Sequence, residues 1–234
     1  MKAVILAGGF GTRFGEITQK MPKPLIEIGG KPILWHIMKK YSMYGIREFV
    51  ICSGYLGYMI KDYFEKKHED WKITVVDTGT NTMTGGRLKR VEKYVGNETF
   101  CFTYGDSLNN ANISDIVKMH NDKGKIATVT ACHPPEKYGV LKLENNAVIS
   151  FEEKPERNDQ WVNAGYFVLD PQIFELIKDD STIWEQEPMK ELVSKNHLLA
   201  FKHEGFYKSM DTIGDKNYLE KLWNNGTAQW KNWK

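Results

Sequence analysis

An alternation constrains this chain more than anything else in it. In the first half, short apolar runs that suit buried strands alternate with stretches at helical spacing. Residues 2–7, 48–52, 72–76, 99–103 and 126–131 predict strands. Residues 31–41, 55–64, 87–95 and 113–120 predict the helices between them, with Pro32 at the first position of its helix. Strands alternating with helices give a mainly parallel sheet covered on both faces. Ligands of such sheets gather at the carboxyl ends of the strands.

Beyond about residue 134 the pattern changes. Residues 139–143 and 148–152, joined through Glu144-Asn145-Asn146, predict a hairpin, and 164–169 a further strand. A proline-started helix from Pro171, helices over 187–195 and 213–223, and a strand over 198–202 complete the expectation. There is no repeat and no low-complexity linker. The chain is expected to form one α/β domain over 1–234, with a β-rich insertion and a functional division near residue 133.

Composition narrows the partners. Of 234 residues, 41% are hydrophobic and 26% charged, enough for a buried core. A net charge of +2 without a block of like charges does not suit nucleic acid, so attraction for anions must come from a local site. Cys52, Cys101 and Cys132 each lie in an apolar run and lack paired spacing, as buried thiols do. The N-terminal apolar run ends at Gly8, short of a leader or a membrane span, which points to a cytoplasmic protein with no membrane partner.

The local site is signalled by Gly8-Gly9-Phe10-Gly11-Thr12-Arg13, directly after the first strand. Glycines allow backbone amides to approach an anion, and Thr12 and Arg13 add a hydroxyl and a forked cation suited to polyphosphate. A dinucleotide fingerprint would need glycine where Phe14 stands, and a P-loop would need Gly-Lys-Ser/Thr. On the glycines alone, a turn without a ligand explains the spacing equally well. Lys23, between Pro22 and Pro24, is held out by a stiffened segment. Asp106 follows the strand over 99–103, and Asp211 precedes the last helix. Either is suited to a magnesium site, which needs only one or two carboxylates, or to a turn and a helix entry.

Taken together, Leu6-Ala7-Gly8-Gly9-Phe10-Gly11-Thr12-Arg13, Lys23-Pro24-Leu25, Tyr104-Gly105-Asp106, Phe151-Glu152-Glu153-Lys154-Pro155 and Met210-Asp211-Thr212 resemble the sugar-1-phosphate nucleotidyltransferase family over nearly the whole chain. Met83 to Arg90, Trp184-Glu185-Gln186-Glu187-Pro188 and the ending Trp230-Lys231-Asn232-Trp233 are most similar to its glucose-1-phosphate cytidylyltransferase branch. The resemblance implies a Rossmann-like, GT-A-like fold, Mg²⁺, CTP or another pyrimidine nucleoside triphosphate, a sugar-1-phosphate acceptor and a homo-oligomer. It implies catalytic roles for Arg13, Lys23 and Asp106, and metal ligation by Asp106 and Asp211. Nucleotide contacts would come from Leu6, Ala7, Gly8, Gly9, Gly11, Thr12, Arg13, Lys23, Thr82, Arg87 and Gly105. Arg87 would stand at a helix start, where a cation opposes the dipole unless an anion is near. Gly139, Glu153, Lys154 and Asn163 would hold the sugar phosphate.

Two departures bear on the acceptor and the assembly: Ala164 stands where the family has glycine, and the stretch between Phe64 and Val76 is short. A sibling using dTTP or UTP, or acting on a phosphorylated acceptor other than glucose, is the nearest alternative. A glycosyltransferase would leave the Gly-Thr-Arg turn without a role, and an inactive binding module would not need the full charged set.

Overall fold

The computed structural model describes residues 1–66, 69–133, 140–153 and 160–233. The order is β1 (Ala3–Leu6), α1 (Glu16–Lys20), β2 (Glu27–Ile28), β3 (Lys31–Pro32), α2 (Ile33–Met43), β4 (Glu48–Ser53), α3 (Gly57–Glu65) and β5 (Lys72–Asp77). Then come α4 (Thr84–Arg90), α5 (Glu92–Val95), β6 (Phe100–Tyr104), β7 (Ser107–Asn109), α6 (Ile113–Lys123) and β8 (Ala127–Cys132). The second half adds β9 (Val140–Glu144), β10 (Ala147–Glu152), β11 (Val162–Leu169), α7 (Glu187–Ser194), β12 (Leu198–His203), β13 (Tyr207–Ser209) and α8 (Ile213–Asn224).

Seven strands form one sheet in the order β12-β8-β11-β6-β1-β4-β5. All run in one direction except β11, which is antiparallel to both β6 and β8. The expected Rossmann-like, mainly parallel mixed sheet is therefore present, and strands from both halves of the chain build it. The expected hairpin is present as the β9–β10 ribbon.

Period-2 alternation places the two cores. Ala3, Ile5, Phe49, Ile51, Tyr166 and Val168 face one layer, with α2, α6 and α8; Val4, Val50, Phe100, Phe102, Phe167 and Leu169 face the other, with α4, α5 and α7. At the central strands β1, β4 and β6 both faces are covered, so these strands read as nearly continuous apolar runs. Burying each Val, Ile, Leu or Phe side chain among them stabilises the fold by about 1.5–3 kcal/mol relative to exposure. The three cysteines are buried and unpaired, and burial pushes each thiol up to about 12.

Several expected boundaries shift for identifiable reasons. Pro32 lies in β3 and caps α2 from outside, because Ile28 and Lys31 pair across a tight turn of two positive-φ glycines, Gly29 and Gly30. The helix expected from residue 55 starts at Gly57 after a left-handed residue, Leu56. The helix expected over 87–95 starts at Thr84 and is broken at Val91 into α4 and α5. Its early start is set at long range: the amides of Met83, Gly85 and Gly86 donate to carbonyls of Asp180 and Thr182 at 2.8–3.2 Å. The segment from Pro171 is a 3₁₀ turn to Leu176 and not an α-helix, after which Ile177 extends the chain toward those capping carbonyls. No helix among the described residues is long and apolar enough to cross a membrane.

Candidate active site

The carboxyl ends of β1 and β6, with the segment that follows β5, surround a cavity of about 600 Å³. Every residue expected to contact nucleotide lies on its wall: Leu6, Ala7, Gly8, Gly9, Gly11, Thr12, Arg13, Lys23, Thr82, Arg87 and Gly105. A volume of this size suits a small-molecule ligand.

Two glycines of the turn are dictated by close approach. Gly11 has φ +65°, and a Cβ there would lie 2.9 Å from the Thr18 methyl and 3.0 Å from Lys23 Cβ. A Cβ on Gly105 would lie 2.5 Å from the Leu6 carbonyl oxygen, so β1 and β6 can close on each other only without it. After Gly11 the chain makes a short 3₁₀ turn, Thr12–Phe14, which buries Phe14 and leaves Arg13 exposed at the cavity. The Thr18 hydroxyl donates to the Gly11 carbonyl at 3.0 Å and fixes that turn.

The acids meet through a pairing that sequence spacing does not announce. β13 lies antiparallel to β7 with Ser209 opposite Ser107, and the Met210 amide donates to the Asp106 carbonyl at 2.8 Å. Asp106 and Asp211, more than a hundred residues apart in the chain, are thereby set side by side. From below, the Tyr166 hydroxyl donates to Ser107 O at 2.7 Å and Lys40 Nζ to Asn109 O at 2.8 Å, holding β7 in place.

Lys23 joins the two acids. Its Nζ lies 2.7 Å from Asp106 Oδ2 and 3.1 Å from Asp211 Oδ1, and Arg13 lies 3.3 Å from the same Asp211 oxygen. Contrary to the expectation of a lysine held outward, Lys23 opens a 3₁₀ turn (Lys23–Leu25) and its side chain is only 12% exposed. Burial pushes the Asp211 carboxyl up, but the Lys23 ammonium, the Ser209 hydroxyl and Arg13 outweigh it and hold it below the usual carboxylate range. Two carboxylates converging on one ammonium form a place where a cation is stabilised. Among the described residues no cluster of three or more His, Cys, Asp or Glu could hold a metal ion. A magnesium ion here would rest on these two carboxylates plus ligand oxygens and water, the coordination that Mg²⁺ favours.

The facing wall is built by the segment from Thr78 to Thr84. Arg87 lies in the interior of α4, not at its start, so the dipole expectation for it does not hold. Its guanidinium is buried and already donates to Ser53 O, Thr78 Oγ1, Gly79 O and Thr80 O at 2.6–3.2 Å. It thus shapes the wall by gathering carbonyls of two loops. Gly85 and Gly86 let the 180–182 segment close on α4: a Cβ on Gly86 would lie 2.5 Å from Asp180 Cα.

On the acceptor side, Gly139 and Lys154 lie outside the described residues. Glu153 follows β10 directly, and Asn163 is the second residue of β11, close to the cavity residue Tyr104, its Nδ2 donating to the Tyr104 hydroxyl at 3.3 Å. Ala164 is fully buried and is not part of this cavity's wall. Tyr104, Met83 and Thr84 also line the cavity; they lie within motifs that the sequence marks, which assign them no role of their own.

Residues 2–224 match the nucleotidyl transferase family. A glucose-1-phosphate cytidylyltransferase of Salmonella typhi is 49% identical over 256 aligned residues, covering 100% of both chains. A Bacillus subtilis (strain 168) protein named "Probable glucose-1-phosphate cytidylyltransferase" is 44% identical over 257 residues, again covering 100% of both. Both alignments are longer than this chain, so each relative carries residues that this chain lacks. A UDP-glucose pyrophosphorylase structure from Acinetobacter baumannii superposes with a TM-score of 0.77 at 17% identity, covering 98% of this chain and 95% of that one, a likeness of fold.

Proposed function

This chain belongs to the nucleotidyl transferase family, and we propose that it transfers a cytidylyl group from CTP to glucose-1-phosphate, giving CDP-glucose and pyrophosphate. The observation that carries this reading is the convergence of Arg13, Lys23, Asp106 and Asp211 behind the glycine turn in one cavity. The choice of base and sugar is supported by relatives of that name matched over the full chain.

The reaction is an in-line displacement. A phosphate oxygen of the acceptor attacks the α-phosphorus, a new P–O bond forms, and the α–β bridging bond breaks with its electron pair leaving on pyrophosphate. The attacking oxygen is already anionic, so no general base is required. Catalysis is positioning and charge stabilisation. The glycine turn and Arg13 hold the departing phosphates. Lys23 neutralises charge at the α-phosphate, and Thr82, Gly105 and the wall gathered by Arg87 orient the nucleoside. On the acceptor side Gly139, Glu153, Lys154 and Asn163 take the sugar and its phosphate, with Lys154 aligning the nucleophile. Asp106 and Asp211 would hold Mg²⁺, which when bound supplies positive charge to the phosphate oxygens.

In the same reading, residues 1–133 carry the nucleotide and 134–234 the sugar within one domain over 1–234, and the protein works in the cytoplasm, where nucleoside triphosphates are made. A homo-oligomer is supported by β5, the last strand of the sheet, where half-exposed Trp71, Ile73 and Val75 line a second cavity of about 220 Å³. The test is a matrix of four nucleoside triphosphates against several sugar-1-phosphates with Mg²⁺, read by pyrophosphate release. Turnover confined to CTP with glucose-1-phosphate is expected. A higher kcat/KM for dTTP or UTP would refute the choice of base.

A further inference from the structure

A chain of polar side chains runs from the nucleotide wall to the acceptor side, and its centre, Glu185, is not itself part of the cavity wall. Glu185 is exposed, in the segment between Trp184 and α7. Its Oε2 accepts from the hydroxyl of Thr84, the first residue of α4, at 2.7 Å. Its Oε1 accepts from the Tyr104 hydroxyl. The Tyr104 oxygen in turn accepts from Asn163 Nδ2 at 3.3 Å, and Asn163 Oδ1 accepts from the Gly165 amide at 2.7 Å.

The direction of every bond in this chain is fixed by its ends. An ionised carboxylate only accepts, and Tyr104 has one proton to give. At the other end the Gly165 amide holds Asn163 Oδ1. Gly165 packs closely on Tyr104: it has φ +74°, and a Cβ there would lie 2.4 Å from the Tyr104 ring. Asn163 must therefore turn its NH₂ toward Tyr104, and since Asn163 is exposed, the second hydrogen of that group is available to a ligand.

We propose that Glu185 is a positioning residue that, through Tyr104, sets Asn163 as a hydrogen-bond donor toward the acceptor sugar. This rests on the transferase reading and adds a rule of specificity to it: the sugar oxygen that meets Asn163 must accept. Replacing Glu185 by glutamine separates the two links. The Gln oxygen still accepts from Thr84, but its NH₂ now faces Tyr104 and drives the phenol proton toward Asn163. Asn163 then flips and loses Gly165, or it presents a misplaced amide.

The test compares wild type, Glu185→Gln, Tyr104→Phe and the double variant by pyrophosphate release, varying each substrate in turn. Glu185→Gln is expected to raise KM for the sugar-1-phosphate about tenfold or more, with KM for the triphosphate within about twofold. The double variant is expected to be no worse than Glu185→Gln alone, since both changes remove the same link. Equal rises in both KM values mark a merely structural effect and overturn the proposal. Strictly additive losses, or an unchanged sugar KM, overturn it as well. Failure of the transferase reading is seen separately: wild-type protein then releases no pyrophosphate with any substrate pair, and this assignment falls with it.

Discussion

Replacing Lys23 by methionine tests the centre of the site, because this side chain serves the fold and the proposed chemistry through the same charge. Its ammonium lies 2.7 Å from Asp106 and 3.1 Å from Asp211 with 12% exposure. Exposed ion pairs contribute about 0–1 kcal/mol, and breaking a fully buried one costs about 3–5 kcal/mol. The carboxylates here are 24–33% exposed, and Arg13 remains beside Asp211, so a loss of about 1–2 kcal/mol is expected. For a chain of this length, each 1 kcal/mol lowers Tm by roughly 2–4 °C. Without Lys23 the burial of Asp211 is opposed only by Ser209 and Arg13, so its carboxyl moves upward. The wild-type carboxyl lies below its unfolded value, so its stabilisation is whole above the ordinary carboxylate pKa and is lost as pH falls through the lowered one. In the variant the gap from the unfolded value narrows, so Asp211 contributes less stability for falling pH to remove. Millimolar Mg²⁺ is expected to restore Tm in Lys23→Met more than it raises wild type, because the metal takes the place of the missing ammonium between the carboxylates. Turnover is expected to fall about 10²–10³-fold, the usual cost of removing one preorganised charge donor. Thermal scans with and without Mg²⁺, together with pyrophosphate release, read both effects. Turnover within tenfold of wild type, or a Tm response to Mg²⁺ no larger than wild type's, would refute the reasoning.

Three further outcomes follow from other parts of the molecule. Asp106→Asn and Asp211→Asn are each expected to fold and to lose at least about 10²-fold in kcat, with the Mg²⁺ dependence of the remaining rate shifted to higher concentration; an unaltered Mg²⁺ titration counts against both as ligands. Gly86→Ala places a Cβ against the backbone of Asp180, and displacing that segment is expected to cost about 1–3 kcal/mol in urea unfolding and to weaken triphosphate binding. Unchanged stability and binding would show that the close approach is dispensable. His36, fully buried among Trp35, Trp223, Trp230 and Trp233, is pulled from 6.5 to about 4, chiefly by burial. Because the unfolded chain binds this proton more tightly, the stabilisation is whole above pH 6.5 and is lost as pH falls toward 4, by about 3 kcal/mol. Tryptophan-monitored unfolding from pH 7 to 4 should show this slope in wild type and a flatter one in His36→Gln; parallel slopes would exclude His36 as its source.

Local residue patterns determined much of this protein. Period-2 and helical spacing give the alternating strands and helices, since those periods follow from backbone geometry alone. The Gly8–Arg13 turn falls where a buried strand must end, and Lys23, Asp106 and Asp211 carry the charges that phosphate chemistry needs. The tertiary structure decided what depends on distant backbone. Asp106 meets Asp211 only because β13 pairs with β7, and hydrogen bonding between strands leaves no signature in side-chain periodicity. The start of α4 is set by carbonyls of Asp180 and Thr182, so the placement of Arg87 was not legible from its own neighbours. Lys23 reads as an outward cation between two prolines, yet it turns inward because two carboxylates from remote loops wait there. The Thr84–Glu185–Tyr104–Asn163 chain belongs to the same class: four ordinary polar residues, far apart in sequence, whose hydrogen-bond directions exist only once the sheet has brought them together.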